Sequence, residues 1–157
     1  MSEIKLKIEM IPQSTWGINC RSLLSFEQWS FIRARIIKDS NKHCGICNIE
    51  TIYLECHEVW KYSIRKRQQI LIDLIAICKM CHLSKHIGRT KKVEPELYDN
   101  VIEHIKRVNK FNNIQWETYF NDIVNEHENI CRKTFSVNID LVNSYLPLYL
   151  TYKSNLY

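Results

Sequence analysis

Residues 74–88 read LIAICKMCHLSKHIG. This segment contains one Cys-x-x-Cys pair, Cys78 and Cys81, and a second pair, Cys44 and Cys47, lies 34 residues earlier in the chain. Four thiolates from two such turns form a closed tetrahedral shell that suits zinc. Seven cysteines in a reducing environment also indicate metal binding rather than a disulfide framework. The spacing therefore predicts a structural zinc site with four cysteine ligands, with buried apolar cysteines or a redox pair as the alternative.

The size and composition of the chain limit its class. Its 157 residues are enough for one compact domain, and a hydrophobic share of 45% argues against disorder. No apolar stretch approaches the ~20 residues that a membrane-spanning helix needs, and the first residues lack the apolar region of a signal peptide. We expect a soluble cytoplasmic protein without a membrane partner.

Local sequence patterns predict an α+β fold. Ser25 begins a capping-box pattern, which indicates a helix over 25–38. Residues 51–59 are rich in β-branched and aromatic side chains and predict a strand, and the apolar run 71–77 predicts its return strand. The polar and basic residues 61–69 fit either a long connection or a short helix.

The sequence after the second cysteine pair is mainly helical in pattern. Residues 82–87 predict a short helix that Gly88 ends at its C′ position. Apolar residues then recur at helical spacing after Pro95 and again over 114–132. Residues 135–141 alternate as a strand does and can cover a sheet edge.

Three histidines accompany the cysteine pairs. His57 lies on the first predicted strand, His82 directly follows the last cysteine, and His86 comes one helical turn later on the same face. Neutral imidazole is both a metal ligand and a base that works near neutral pH. A single histidine is more often structural, but three beside a metal-stapled hairpin predict a functional site.

Basic residues are concentrated in the middle of the chain, whose net charge is +5. Nine bases and one acid lie between Lys61 and Lys92, whereas acids outnumber bases from Val93 onward. Such a segment attracts phosphate backbones without reading sequence, and a solvated helical face is the alternative on charge alone. The bases predicted to contact nucleic acid are Lys61, Arg65, Lys66, Arg67, Lys85, Arg89, Lys91 and Lys92.

These motifs resemble those of the HNH endonucleases, a family with the ββα-metal or His-Me finger fold. The matching segments are CGIC at 44–47, LECHEVW at 54–60 and LIAICKMCHLSKHIG at 74–88, as in the zinc-stapled subgroup. The resemblance extends to small bacterial HNH proteins through the segment 16–21 and through His-Ile-Lys-Arg-Val-Asn at 104–109.

The resemblance implies both architecture and activity. We expect a single domain over 1–157, with a ββα-metal core at 43–90, an N-terminal helical flank at 1–42 and a C-terminal helical flank at 93–157. The implied activity is hydrolysis of DNA phosphodiester bonds by a histidine base and one divalent metal ion. Double-stranded DNA is then the expected partner.

Residue roles follow from the same resemblance. His57 takes the position of the general base, and His82 that of the metal ligand at the helix start. The residue before the base is usually a ligand, Asp or His, but this chain has Cys56 there. Either Glu55 supplies an oxygen, or Cys56 selects a softer ion, so the catalytic ion stays open among Mg²⁺, Mn²⁺, Ni²⁺ and Zn²⁺.

The resemblance leaves more than one role open for two further residues, Asp73 and His86. Asp73 aligns with the middle residue of the motif, which holds the base histidine in its working tautomer, unless the alignment slips and it is a solvated loop acid. His86 is a third metal ligand, a phosphate contact or a surface residue.

Two functions compete with the nuclease hypothesis. Cys56 and Asp73 depart from the family pattern, which fits a catalytically degenerate zinc module that binds nucleic acid or a protein. The aromatic residues and acidic surplus of 95–132 fit a structural protein whose helical tail docks onto an assembly.

Overall fold

The computed structural model describes residues 4–153. The predicted α+β class is confirmed, because this part of the chain contains six α-helices and one three-stranded sheet. The helices are α1 (Cys20–Leu23), α2 (Phe26–Asp39), α3 (Lys79–Lys85), α4 (Ile87–Val93), α5 (Tyr98–Asn109) and α6 (Asn113–Cys131). The strands are β1 (Leu54–Ser63), β2 (Gln68–Cys78) and β3 (Ser136–Asn138), in the sheet order β1-β2-β3.

A long antiparallel hairpin, β1 and β2, forms the centre of the fold. Its pairing runs from Leu54 opposite Cys78 to Ser63 opposite Gln68, with a bulge after Val59. Both predicted strands are confirmed, but the predicted connection over 61–69 is wrong, because only 64–67 form the turn. Packing overrides the polar composition there, since the Gln69 side chain is fully buried and the Tyr62 ring contacts Phe135.

The helix α2 covers one face of the hairpin. Its predicted capping box is confirmed, because Ser25 Oγ accepts from the Gln28 N–H at 3.1 Å and Gln28 Oε1 accepts from the Ser25 N–H at 2.9 Å. Ile32 of α2 is fully buried in one apolar cluster with Leu71 and Leu74 of β2.

The opposite side of the hairpin carries α3, α5, α6 and the N-terminal segment. Ile77, Leu83 and Ile105 belong to the larger apolar cluster that joins these elements. Asn109, the last residue of α5, fastens the N-terminal segment: its Oδ1 accepts from the Leu6 N–H at 2.9 Å, and its Nδ2 donates to the Leu6 carbonyl at 2.8 Å. This anchor fixes the residues that follow Leu6 against α3.

The helical region after β2 differs from its prediction. The helix α3 begins at Lys79, earlier than predicted, and Gly88 lies inside α4 and does not end a helix. The chain bends at His86, where φ is −108° and ψ is 41°. Helical backbone resumes because Ile87 is buried and Thr90 Oγ1 donates a hydrogen bond to the Leu83 carbonyl at 2.9 Å.

The C-terminal region follows the predicted order with shorter strand content. Pro95 begins a 3₁₀ turn that leads into α5, and Asn112 caps α6. The predicted strand 135–141 is reduced to β3, which pairs in parallel with β2, and a 3₁₀ turn follows over Asp140–Ser144. Over 4–153, every helix is too short or too polar to cross a membrane.

Candidate functional site

The four cysteines of the predicted zinc site come together at one end of the hairpin. Their sulfur atoms all lie within 4.8 Å of one another, and the Cys47 and Cys78 sulfurs are 3.7 Å apart. A tetrahedral zinc ion with Zn–S bonds of about 2.3 Å needs sulfurs about 3.8 Å apart. The cluster of Cys44, Cys47, Cys78 and Cys81 can therefore hold a structural metal ion.

Backbone hydrogen bonds position the two cysteine turns. The Gly45 N–H donates to the Ala76 carbonyl of β2 at 2.8 Å, which docks the first turn on the strand end. A Cβ at Gly45 would lie 3.4 Å from that carbonyl oxygen, which is an ordinary van der Waals contact, so the approach itself does not require glycine. Cys78 ends β2 and precedes α3, and Cys81 lies in the first turn of that helix.

Charge is unevenly shared among these sulfurs. A hydrogen bond from Cys81 lowers the pKa of the Cys44 thiol to about 4, whereas the same bond and burial raise the pKa of Cys81. Burial also raises the pKa of Cys78 to about 11. The thiolate is the form of cysteine that binds metal ions, so the more acidic member of the Cys44 and Cys81 pair favours binding of a cation.

The three predicted histidines also come together. Their ring centroids are 5.3 Å apart between His57 and His82, 5.1 Å between His57 and His86, and 5.1 Å between His82 and His86. One nitrogen of each ring lies within 4.8 Å of the other two, so this cluster is a second group that can hold a metal ion. The hairpin supplies His57, α3 supplies His82, and the C-cap residue of α3 is His86.

Two carboxylates orient these rings. Glu9 Oε2 lies 3.1 Å from His57 Nε2, and Glu55 Oε2 lies 2.7 Å from His82 Nδ1. An ionised carboxylate only accepts hydrogen bonds, so these ring nitrogens carry the N–H groups. The lone pairs are then on His57 Nδ1 and His82 Nε2. Such carboxylate–imidazole pairs fix the tautomer of metal-binding and catalytic histidines.

The two helix histidines are neutral at neutral pH. Burial, with the neighbouring His57 and His82 rings, lowers the pKa of His86 to about 4. Burial also lowers the pKa of His82, although Glu55 opposes this shift. Neutral imidazole is the form that binds metal ions, so both rings are prepared for that role.

Glu9 is the residue that sequence analysis missed. Its Oε1 accepts from Lys85 Nζ at 2.9 Å, and its backbone N–H donates to the Lys85 carbonyl at 2.9 Å. Burial disfavours ionisation of Glu9, but His57 and Lys85 outweigh it and lower the pKa of the carboxyl. Because Lys85 is itself buried and paired with Glu9, the structure does not present it as a nucleic-acid contact. Glu9 lies in a segment of alternating apolar and charged residues, and no regular spacing links it to the other site residues.

Cys56, a predicted alternative metal ligand, lines the same cavity as the histidines, but it does not belong to the group of ligand atoms that converge there. Successive residues of a strand point to opposite faces, and Cys56 packs with the apolar cluster under α2, which contains Cys20 and Ile32. Burial and the nearby Glu58 raise the pKa of Cys56 to about 12, so its thiol is protonated at neutral pH.

Asp73, the predicted partner of the base histidine, makes other contacts. Its Oδ1 accepts from the Leu74 N–H at 2.8 Å and from Tyr145 Oη at 3.4 Å. The carboxylate beside His57 is that of Glu9, from the N-terminal segment. Glu55, predicted as a possible oxygen ligand, is in place beside His82 as a hydrogen-bond partner.

A cavity of about 480 Å³ opens beside the three imidazoles. Arginines from three separate helices line it: Arg21 of α1, Arg33 of α2 and Arg89 of α4. Of these, only Arg89 was among the predicted nucleic-acid contacts. Within the described residues, none of the three forms an ion pair.

The remaining predicted basic contacts lie at different distances from the histidine cluster. Lys91 and Lys92 are exposed on α4 beside Arg89. Residues 65–67 lie in the hairpin turn, and the six residues from His57 to the end of β1 span about 20 Å at the strand rise of ~3.3 Å. The hairpin turn is therefore distant from the histidine cluster, and Lys61 lies between the two.

Comparisons of the chain with protein-family models, curated proteins and solved structures find no match.

Proposed function

We propose that this protein is a metal-dependent endonuclease of the HNH type, which hydrolyses DNA phosphodiester bonds at the histidine cluster. The observation that carries the proposal is the convergence of His57, His82 and His86, two of them held by carboxylates. The order β1, β2, α3 agrees with the ββα-metal core that the sequence motifs imply. The adjacent cysteine cluster agrees with the zinc-stapled form of that core.

In this proposal, His82 and His86 hold the catalytic ion. Imidazole nitrogens suit Zn²⁺ or Ni²⁺ best, and Mn²⁺ accepts them alongside oxygen ligands, whereas Mg²⁺ strongly prefers oxygen. Cys56, whose thiol is protonated and packs against the apolar cluster under α2, takes no part. A bound divalent ion supplies positive charge next to a phosphate that becomes more negative during hydrolysis. The four cysteines would give an ion a closed shell with no open position, which suits a structural role.

His57 is the general base in this proposal. Glu9 accepts the N–H of Nε2, so Nδ1 is free to take a proton from the water that attacks phosphorus. The ionised Glu9 stabilises the imidazolium that forms, as the carboxylate of a catalytic triad does. Lys85 fixes the carboxylate from its other oxygen. Departure of the 3′ oxygen then leaves 5′-phosphate and 3′-hydroxyl ends.

The three arginines of the cavity support a phosphodiester substrate. They come from α1, α2 and α4, so the fold brings separate cations to the same opening as the neutral imidazoles. Arginine forms paired hydrogen bonds with phosphate oxygens and is suited to hold a backbone. Such contacts position the nucleic acid without reading its sequence.

Plasmid cleavage tests the proposal. Purified protein is treated with a chelator, reloaded with one zinc per chain, and supplied with Mg²⁺, Mn²⁺, Ni²⁺ or additional Zn²⁺. We expect cleavage with Mn²⁺ or Ni²⁺, and its loss in His57→Ala with unchanged structural zinc and helical content. The matched control is His127→Ala on α6, which removes a ring outside the cluster and should leave cleavage intact.

Two outcomes would contradict the proposal. Cleavage that persists in His57→Ala excludes this residue as the base. Salt-sensitive DNA binding without cleavage in any of these ions favours the non-catalytic zinc module instead.

A further inference from the structure

The helix α5 reaches the cysteine cluster with a residue pair that the proposed hydrolysis does not use. His104 Nε2 lies 3.2 Å from Cys81 Sγ, and Arg107 Nη2 lies 2.9 Å from His104 Nδ1. Both residues belong to the segment His-Ile-Lys-Arg-Val-Asn, outside the predicted 43–90 core. His104 and Cys81 are buried.

The hydrogen-bond chemistry of Arg107 determines which nitrogen of His104 carries the proton. A guanidinium group has only donors, so His104 Nδ1 must accept from Arg107. The ring N–H is then on Nε2, and this group faces the Cys81 sulfur. Arg107 therefore donates to His104, and His104 in turn donates to the Cys81 sulfur.

The same reasoning excludes His104 as a metal ligand. A ligating nitrogen must offer its lone pair, but His104 Nε2 carries a proton. The mutually close donor atoms are those of Cys44, Cys47, Cys78 and Cys81, and the His104 nitrogen is not one of this group. Four thiolates already complete a tetrahedral zinc shell.

We propose that His104 donates an N–H···S hydrogen bond to the zinc-bound Cys81 thiolate, and that Arg107 is the positioning residue that orients the ring. A zinc ion with four thiolates has a net charge of about −2, and a buried charge needs nearby donors or countercharge. His104 provides the donor, and Arg107 brings a positive charge behind it. The inference depends on the structural zinc site and is independent of hydrolysis.

This pair also connects the zinc cluster to the proposed catalytic site. Asn109, at the end of the same helix, fastens the N-terminal segment through Leu6, and that segment carries Glu9. One helix thus bonds to Cys81 near its middle and to the Glu9 segment at its end. Removal of zinc should loosen α5 and the Glu9 segment together.

The test measures metal binding, not activity, in the full chain. We compare the rate of zinc release to a chelator, and the ¹¹³Cd NMR shift of cadmium-loaded protein, among His104 variants. His104→Phe keeps a planar ring without a donor, and we expect 10- to 100-fold faster release, the usual effect of losing an outer hydrogen bond. His104→Gln, whose amide N–H₂ can take the place of Nε2–H, should restore most of the wild-type rate.

The positioning role of Arg107 is tested in the same way, with Lys106 as the matched control. Arg107→Ala should speed zinc release several-fold by leaving the His104 ring without orientation, whereas Lys106→Ala, on the same turn, should leave it unchanged. Equal release and equal ¹¹³Cd shifts in wild type and His104→Phe would overturn the inference.

A measurement on the wild-type protein tests the same inference if His104→Phe fails to fold. Imidazole ¹⁵N shifts of the wild-type protein should show His104 as the Nε2–H tautomer, with zinc or cadmium bound by sulfur alone. An Nδ1–H tautomer, or direct coordination through Nε2, would overturn the inference.

Discussion

Glu9 and His57 are 48 residues apart in the chain, and Glu9 Oε2 meets His57 Nε2 at 3.1 Å. The carboxylate comes from an N-terminal segment that precedes the hairpin and is fastened to it by α3 and α5. Because Lys85 holds the other carboxylate oxygen, the position of Glu9 is fixed from both sides. The proposed catalytic site therefore includes a residue from outside the hairpin and its helix.

Glu9→Gln tests the role of this carboxylate. The amide keeps the shape of the side chain and can still accept from Lys85, but it no longer supplies a negative charge to His57. We expect a 10- to 100-fold fall in kcat for plasmid cleavage with unchanged metal content. Glu27→Gln, an exposed carboxylate in the first turn of α2, is the control and should retain full activity. A Glu9→Gln enzyme as fast as the wild type would exclude Glu9 from the mechanism.

Glu9→Ala should affect stability as well as activity. Removal of the carboxylate leaves the buried Lys85 ammonium without its partner, which costs ~3–5 kcal/mol of the free energy of unfolding. Urea denaturation measures this loss. The double variant Glu9→Ala with Lys85→Met should recover a large part of it, because the unpaired charge is gone. If the double variant loses as much stability as the Glu9→Ala and Lys85→Met single variants together, the two residues are not coupled.

The sequence predicts the clusters whose ligands have regular spacing. Cys44 and Cys47 are constrained by one turn, and His82 and His86 by one helical turn, so local geometry is enough to predict them. Glu9 depends on tertiary packing over 48 residues, and no local pattern indicates it.

The same distinction explains the errors in the fold. The conformational preference of Gly88 predicts a helix end, but the burial of Ile87 keeps the backbone helical. The polar residues after Lys61 predict a connection or a short helix, yet backbone pairing with β2 continues to Ser63. Long-range contacts outweighed local propensity in both places.

The cavity arginines should govern substrate binding. Arg89→Ala or Arg33→Ala should lower kcat/KM for DNA about tenfold at low salt and reduce the salt dependence of binding by about one phosphate contact. Cleavage of a small phosphodiester, bis(p-nitrophenyl) phosphate, should change less because it lacks neighbouring phosphates.

Two controls separate the cavity from general charge. Arg35→Ala removes a base of α2 that is paired with Asp39, and Arg65→Ala removes one from the distant hairpin turn. Both should have smaller effects on kcat/KM than Arg89→Ala. An equal loss in all of these variants would indicate non-specific attraction in place of a defined substrate path.

Loss of the structural zinc should unfold the site. Structural zinc contributes roughly 10–16 kcal/mol of binding free energy in small zinc domains, so Cys81→Ser should lose one zinc per chain and a large part of the thermal stability. Metal analysis and the melting temperature check this result. Cys131→Ser changes a cysteine outside the cluster and should retain the zinc. Full zinc content in Cys81→Ser would exclude the four-cysteine site.

A crystal structure with anomalous diffraction data would show whether His57 lies beside a metal ion held by the other two histidines. Crystals of the zinc-loaded protein are soaked with Mn²⁺ or Ni²⁺, and data are collected on both sides of each metal's absorption edge. We expect two ions, a zinc among the four cysteine sulfurs and a second ion bound by His82 and His86, with His57 Nδ1 free beside it. No second ion at the histidines under excess metal, or a second ion ligated by His57 itself, would contradict the assignment of His57 as the base next to a bound metal.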